Sequence, residues 1–339
     1  MKHALDVFCL SLWNLHVEQS VEVEEVTGKE AVPPEMAIDP YCPMEAGCIL
    51  FGPRGMGKSA TLLTMAVQLD SGMPGVFTIP YRRPVLFINL ERSKESLRSR
   101  LGRINTALGL AYDRPLRMIN ARGRSLTDVA EKARAIVQNG SADVVMLDSL
   151  SRAGVELTKD DHANNAIDIL NSFGTWITIA HEPKNRTAKD ASVFGSSMFE
   201  NAADVVMRLS SQQMRDQNEL GIALRVTKAN DIRFPLPMCF AVGFDELGVT
   251  HVRSATLSEF SELSGGRSGG SVADDLVSYL LENGKATMTE AAEELDVGRT
   301  WLQKIAKSDQ RIVRLPKEGR KQFYAVKTER GDWVQEKYA

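Results

Sequence analysis

One octapeptide constrains this chain more than any other stretch: Gly52-Pro-Arg-Gly-Met-Gly57-Lys58-Ser59, a full match to G-x-x-x-x-G-K-[ST]. The apolar run Cys48-Ile-Leu-Phe51 precedes it, and a segment with helical periodicity, Ser59–Asp70, follows it. The predicted order is therefore strand, glycine-rich loop, helix. Glycines let the backbone curl until successive N–H groups point inward and make a concave anion cradle. The helix behind the loop turns the positive end of its dipole toward the same point. In this pattern Gly52, Pro53, Arg54, Gly55, Met56, Gly57 and Ala60 supply the cradle, Lys58 sets an ammonium at the β- and γ-phosphates, and the Ser59 hydroxyl is a ligand for Mg²⁺. The expected ligand is ATP with Mg²⁺. An ordinary glycine-rich turn would not need this strand-before, helix-after context.

The same alternation continues downstream. Strands are expected at Val85–Leu90, Leu116–Asn120, Val144–Leu147, Trp176–Ala180, Val205–Leu209 and Ile222–Val226, with helices at Lys94–Leu108 and Leu126–Asn139. Strands apolar throughout, interleaved with amphipathic helices, indicate a mostly parallel sheet covered on both faces. Ahead of this α/β core, Val21-Glu-Val-Glu-Glu-Val26 alternates like an edge strand, and Pro33, Pro34 and Pro40 interrupt regular structure.

A phosphate loop works with a carboxylate that holds the metal and a second group that orients the attacking water. Asp143-Val-Val-Met-Leu-Asp148 provides the first, because buried strands end at the ligand crevice of open α/β sheets. The alternative for Asp148 is a helix cap or turn. Ser149, not Glu, follows it, which departs from the AAA+ pattern of adjacent acids. A substitute stands at the end of a neighbouring strand, Val85-Leu-Phe-Ile-Asn-Leu-Glu91. Glu91 could instead serve the dipole of the next helix, for which Ser93 is the expected N-cap.

A phosphate-loop strand and helix, a next strand ending in Glu, and a later strand ending in Asp-Ser together resemble the RecA-like ATPases. The chain is most similar to hexameric replicative helicases of the DnaB and plasmid RepA type, with the RadA/Sms recombination ATPases as near relatives. That resemblance implies Glu91 as catalytic base, Asp148 as the magnesium acid beside Ser59, and Lys58 as the phosphate contact. Trp176-Ile-Thr-Ile-Ala-His181 is similar to a sensor strand whose terminal His181 lies near the γ-phosphate; a lone histidine there could also be an ordinary polar strand end. The resemblance also implies two loops reaching a central channel. One is residues 182–194, with Lys184, Arg186 and Lys189 for the backbone of single-stranded DNA, and the other is Arg152–Asn165. Arg225-Val-Thr-Lys228-Ala-Asn-Asp-Ile-Arg233 resembles a late hairpin whose cation reaches the neighbouring subunit's γ-phosphate. The spacing is wider than usual and leaves Lys228 and Arg233 both open for that role.

The α/β pattern stops near Leu263. Ser264-Gly-Gly-Arg-Ser-Gly-Gly-Ser271 has the composition of a flexible linker between independently moving modules. Helices are then expected at Val272–Glu282, Met288–Leu295 and Gly298–Ser308, and strands at Arg311–Leu315 and Gln322–Val326, the order of a small C-terminal winged helix-turn-helix. Overall charge is −3, yet residues 297–327 hold nine basic side chains against two acidic ones, a local +7. Such asymmetry is the electrostatic footprint of nucleic-acid binding, here of duplex or backbone. Arg299, Lys304, Lys307, Arg320 and Lys321 are the expected contacts. The organisation read from sequence is an N-terminal segment 1–40, a RecA-like core 41–262, a linker 263–271, a winged-helix domain 272–328 and a tail 329–339.

Cys9, Cys42, Cys48 and Cys239 form no Cys-x-x-Cys pair, which argues against a zinc site and suits a reducing cytoplasm. Neither a signal peptide nor a membrane span is expected. The leading expectation is a DNA-stimulated ATPase motor: a ring-forming, hexameric homo-oligomer acting as helicase or translocase in replication or recombination. A recombination mediator or helicase loader, and an ATP-gated DNA-binding regulator, are the alternatives.

Overall fold

The computed structural model of the 339-residue chain describes residues 2–20, 33–154, 157–182, 193, 197–214, 218–260, 263, 272–295, 297–319 and 321–327. The edge strand expected at Val21–Val26 and the linker Ser264–Ser271 lie outside the described residues. Two units separate, Met1–Pro33 and Pro34–Ala339. The first holds helix α1 (Lys2–Ser20), on which Leu5, Val7, Phe8, Leu10, Leu12 and Trp13 are exposed.

The second unit opens with a short antiparallel pair, β1 (Met36–Ile38) and β2 (Cys42–Pro43). Strands and helices then alternate: β3 (Gly47–Gly52), α2 (Lys58–Ser71), β4 (Val85–Asn89), α3 (Lys94–Ala107), β5 (Arg117–Asn120), α4 (Thr127–Gln138), β6 (Val144–Asp148), α5 (Asp160–Asn171) and β7 (Thr175–His181). A short helix, α6 (Met198–Ala202), leads to β8 (Val205–Met214), β9 (Glu219–Ala229), β10 (Met238–Asp245) and β11 (Gly248–Ser254).

The nine strands β3 to β11 form one sheet in the order β11-β10-β9-β8-β3-β7-β6-β4-β5. From β8 to β5 every pairing is parallel. The remaining three pairings are antiparallel. The expected strand at Ile222–Val226 lies in that antiparallel part: only four residues separate Met214 from Glu219, too few for the crossover a parallel neighbour requires. Alternate residues of each strand enter opposite faces. Leu50, Phe87, Met146 and Ile177 pack with Leu62, Met65 and Ala66 of α2 and Ile104 of α3. Ile49, Phe51, Ile88 and Leu147 pack with Ala130 and Ala133 of α4 and Ile167 and Leu170 of α5.

One expectation is corrected here. The stretch Arg152–Asn165 is not a channel loop throughout, because α5 begins at Asp160. Ala163, Ala166, Ile167 and Leu170 recur at helical spacing and are buried under the sheet, which makes this face a helix.

The C-terminal elements are α7 (Val272–Glu282), β12 (Ala286–Thr287), α8 (Met288–Glu294), α9 (Arg299–Ser308), β13 (Ile312–Arg314) and β14 (Phe323–Val326). The three strands pair antiparallel in the order β12-β14-β13. Leu276, Leu280, Met288, Ala291, Leu302, Ile305 and Tyr324 close a separate core. This module rests against the sheet instead of standing apart from it. Arg225 of β9, buried, lies 3.8 Å from Asp275 of α7. Phe234, Pro235 and Pro237 of the β9–β10 loop share a small crevice with Val277 and Arg311.

The antiparallel edge is tied by one carboxylate. Glu219 begins β9, Gly243 lies opposite it on β10, and His251 lies opposite Gly243 on β11. A Cβ at Gly243 would come within 2.1 Å of the His251 ring, so glycine opens the path across β10. Glu219 then accepts hydrogen bonds from His251 Nε2 (2.7 Å) and Arg253 Nη2 (2.8 Å). These partners, Arg253 above all, hold its carboxyl at about 2, below an ordinary 4.5. A depressed folded-state pKa stabilises the fold above the unfolded value, and the contribution fades as pH falls from about 4.5 to about 2. Arg253 and His251 are partly solvated, so Glu219→Gln should cost about 1–2 kcal/mol at pH 7. Denaturant titrations across pH should show the two proteins converging toward pH 2, and parallel curves would contradict this account.

Candidate active site

The glycine-rich loop joins the C-terminal end of β3 to the N-terminus of α2. Gly55 (φ 81°) and Gly57 (φ 87°) both take left-handed backbone. At Gly57 a Cβ would also press to 2.9 Å on Ile222 Cδ1, so sterics and torsion both demand glycine. Gly57 caps α2 without any side-chain hydrogen bond, which leaves the first-turn N–H groups to the loop. Lys58 is buried, and its ammonium donates to the carbonyl oxygens of Gly52 (2.7 Å) and Pro53. Burial pushes this ammonium down to about 8 despite the favourable field of Glu182, Glu91 and Asp148.

Register brings the acids together. Asn89 of β4 pairs with Asp148 of β6, and Glu91 follows two residues after Asn89. Asn89 is fully buried and shapes the turn that carries Glu91. Its Oδ1 accepts from the N–H groups of Glu91 (3.3 Å) and Arg92 (2.9 Å), and its Nδ2 donates to the Arg92 carbonyl (2.8 Å). The Ser149 hydroxyl donates to Glu91 Oε2 at 2.9 Å. Ser149 follows Asp148 through a cis peptide bond.

Asp148 is 1% exposed, and its Oδ1 has no hydrogen-bond partner among the described residues. Burial pushes its carboxyl up, against the pull of the Ser59 hydroxyl, Arg92 and Arg100. An orphaned buried carboxylate oxygen beside a hydroxyl, at the mouth of a phosphate loop, is a donor set suited to Mg²⁺, a hard ion that binds few protein oxygens and keeps waters. His181 ends β7 opposite Gly52 of β3. Its Nδ1 lacks a partner among the described residues, and burial together with Lys58 lowers its pKa, so the ring is neutral at pH 7. Next to it, Glu182 pairs with Arg208 at 2.9 Å.

These groups face a cleft of about 610 Å³, within the ~300–1,000 Å³ usual for small-molecule sites. Lys58, Ser59, Glu91 and His181 line it. So do residues that the sequence reading does not single out: Arg92, and Ser96, Arg100 and Arg103, which α3 stacks on one face. Arg92 Nε stands 4.0 Å from Asp148 Oδ2. Burial and the charge of Arg92 push the Arg100 guanidinium down. The i, i+4, i+7 row of Ser96, Arg100 and Arg103, set just after Glu91, was the available signal. Phe244, Leu247 and Val249 of the β10–β11 hairpin form an apolar opposite wall.

The remaining candidates lie elsewhere. The Lys228 ammonium donates to the carbonyls of Glu200 (2.8 Å), Asn201 (2.9 Å) and Ala203 (2.7 Å), closing the C-terminal end of α6 within its own chain. Arg233 is exposed on the β9–β10 loop, and its charge acts on Asp309 of the C-terminal module. Neither residue lines the cleft of its own chain. Arg299, Lys304 and Lys307 are exposed on α9, and exposed Lys321 lies 3.6 Å from Glu290. Lys184, Arg186, Lys189 and Arg320 lie outside the described residues.

Residues 15–187, just over half of the chain, match the family model described as an AAA domain. The matched span contains the loop, Glu91, Asp148 and His181. A search of curated proteins gives no match. The AAA description stands although Ser149 occupies the place of an adjacent second acid, so the absence of that acid does not set the chain apart from this family.

A polyphosphate drawn to Lys58 should restore its full protonation. Calorimetry of Mg-ATP binding in buffers of different ionisation enthalpy should therefore show uptake of about half a proton at pH 8 and about a tenth at pH 7. Equal enthalpies in all buffers at pH 8 would mean that the phosphates do not reach Lys58.

Proposed function

The chain belongs to the AAA-domain family of P-loop ATPases, and from that premise we propose that it is an ATP-driven DNA motor. In this reading it is a ring-forming, hexameric helicase or translocase in replication or recombination. The observation that carries the proposal is the convergence of Lys58, Ser59, Glu91, Asp148 and His181 at one end of the parallel strands.

ATP lies in the cleft with its phosphates in the loop. Lys58 exchanges its bonds to the Gly52 and Pro53 carbonyls for oxygens of the β- and γ-phosphates. Ser59 and Asp148 would hold Mg²⁺, which would supply positive charge against the phosphates when bound. Glu91, oriented by Ser149 through Oε2, uses its other oxygen to take a proton from water. The water oxygen bonds to the γ-phosphorus as the bond to the β–γ bridging oxygen breaks, giving ADP and phosphate. Arg92 and Arg100 spread the developing charge from within the chain, and Arg233 of a neighbouring subunit adds to it from across the ring. Lys228 is less suited to that part, because three carbonyls already hold its ammonium.

His181, neutral and facing Lys58, reports the phosphate state to residues 182–194, where Lys184, Arg186 and Lys189 hold single-stranded DNA in a central channel. The C-terminal elements support a winged helix-turn-helix: three helices followed by a hairpin, with α9 as the second helix of the turn.

The test is ATP hydrolysis with and without single-stranded DNA, with Glu91→Gln alongside. Stimulation by DNA, and a loss of about 10²–10⁴-fold in kcat for Glu91→Gln with nucleotide binding retained, is the expected result. Unwinding of a forked substrate then separates a helicase from a mediator or loader. Hydrolysis indifferent to DNA would remove the motor and leave an ATP-gated regulator.

A further inference from the structure

Helix α9 has two unlike faces. Leu302, Ile305 and Ala306 are buried in the module's own core. Arg299, Thr300, Trp301, Lys304, Lys307 and Ser308 are exposed. The helix has no acidic residue, and Asp309, the residue that follows it, is held by Arg311 in a two-point ion pair (Nη2–Oδ2 2.6 Å, Nε–Oδ1 3.0 Å). Trp301 is 55% exposed, and among the described residues of the module it is the one large apolar side chain left so open. Lys304 is its neighbour one turn on, at i+3. Arg314 and Lys317 extend the exposed positive charge beyond the helix.

An open indole beside several cations needs a partner with both apolar faces and negative charge. A lipid surface fits poorly: membrane-lying helices insert an apolar face, and the apolar face of α9 is spent on the module's core. Nucleic acid fits, since every base has a π-face and every linkage a phosphate. In duplex DNA the base faces are stacked on one another, and only edges and phosphates are offered. In an unpaired strand the faces are free.

We propose that Trp301 is a stacking platform for an unpaired base, with Arg299, Lys304 and Lys307 gripping the flanking phosphates. The C-terminal module then takes hold of a single strand and does not read duplex edges. This inference rests on the reading of the module as a nucleic-acid contact, and it names the form of nucleic acid taken.

The experiment uses the full chain, with a fluorescent oligothymidylate and a blunt duplex, each of about 20 nucleotides per strand. The variants are Trp301→Phe, Trp301→Ala and the pair Lys304→Ala with Lys307→Ala. Trp301→Ala should bind the single strand about tenfold more weakly and the duplex within about twofold of the parent. Intrinsic tryptophan fluorescence should be quenched by the oligothymidylate in the parent. In Trp301→Phe that quenching should be lost while most of the affinity is kept. This readout belongs to Trp301 even if another part of the chain also binds the strand. The lysine pair should weaken both ligands and flatten the salt dependence by about 1–2 in log–log slope. Unchanged quenching in Trp301→Phe, or equal losses on both ligands in Trp301→Ala, would overturn the stacking proposal while the lysine result keeps the module as a contact. If the lysine pair and Trp301→Ala all leave binding unchanged, the module is no nucleic-acid contact and both readings fall.

Discussion

Parallel pairing in one register holds the catalytic end of this protein together. Gly52 on β3 lies opposite His181 on β7, and Asp148 on β6 lies opposite Asn89 on β4. These strands are buried on both faces. A slip by one residue would therefore carry every side chain to the wrong helix layer. The hydrophobic core thus enforces the alignment of the polar strand ends, and a core substitution can disturb the site without touching it. Asn89 and Ser149 refine what the register begins, the one shaping the turn before Glu91 and the other bonding its carboxylate.

The parts of this arrangement that are local in the chain were legible in the sequence. The glycine loop follows from its pattern, and the strands β3, β4, β6 and β7 from their apolar runs, broken in β7 at Thr178. The C-terminal helices follow from periodicity. Elements made by partnership were harder to see. Strand β10 is interrupted by Gly243, whose purpose appears only when Glu219 reaches across it to β11. Strand β11 alternates with His251 and Arg253, which read as surface until their carboxylate partner is known. Helix α5 was hidden by the resemblance that cast its first turns as a channel loop, although its alanines and isoleucines carry a helical stripe.

The acids of the site show the same division. Asp148 and Glu91 stand at strand ends and could be proposed from the chain alone. That Ser149 bonds to Glu91, and so links the two strand ends, needed three dimensions. Arg100 and Arg103 were easy to pass over despite their spacing, since arginines on an amphipathic helix usually face water. Lys228 illustrates the converse: a basic residue in a suggestive position is engaged by the carbonyls that end α6.

The seam between β9 and α7 has a character of its own. Arg225 is buried there, yet its Nε and Nη1 lack hydrogen-bond partners among the described residues, and Nη1 stands 3.8 Å from Asp275 Oδ1. Interiors that keep a guanidinium so poorly solvated give up free energy that water would return. Parting the two sides of this seam would restore hydration to that charge. Val277 on one side and Phe234, Pro235 and Pro237 on the other line the crevice next to it, so an apolar seam encloses a charge that water would solvate better.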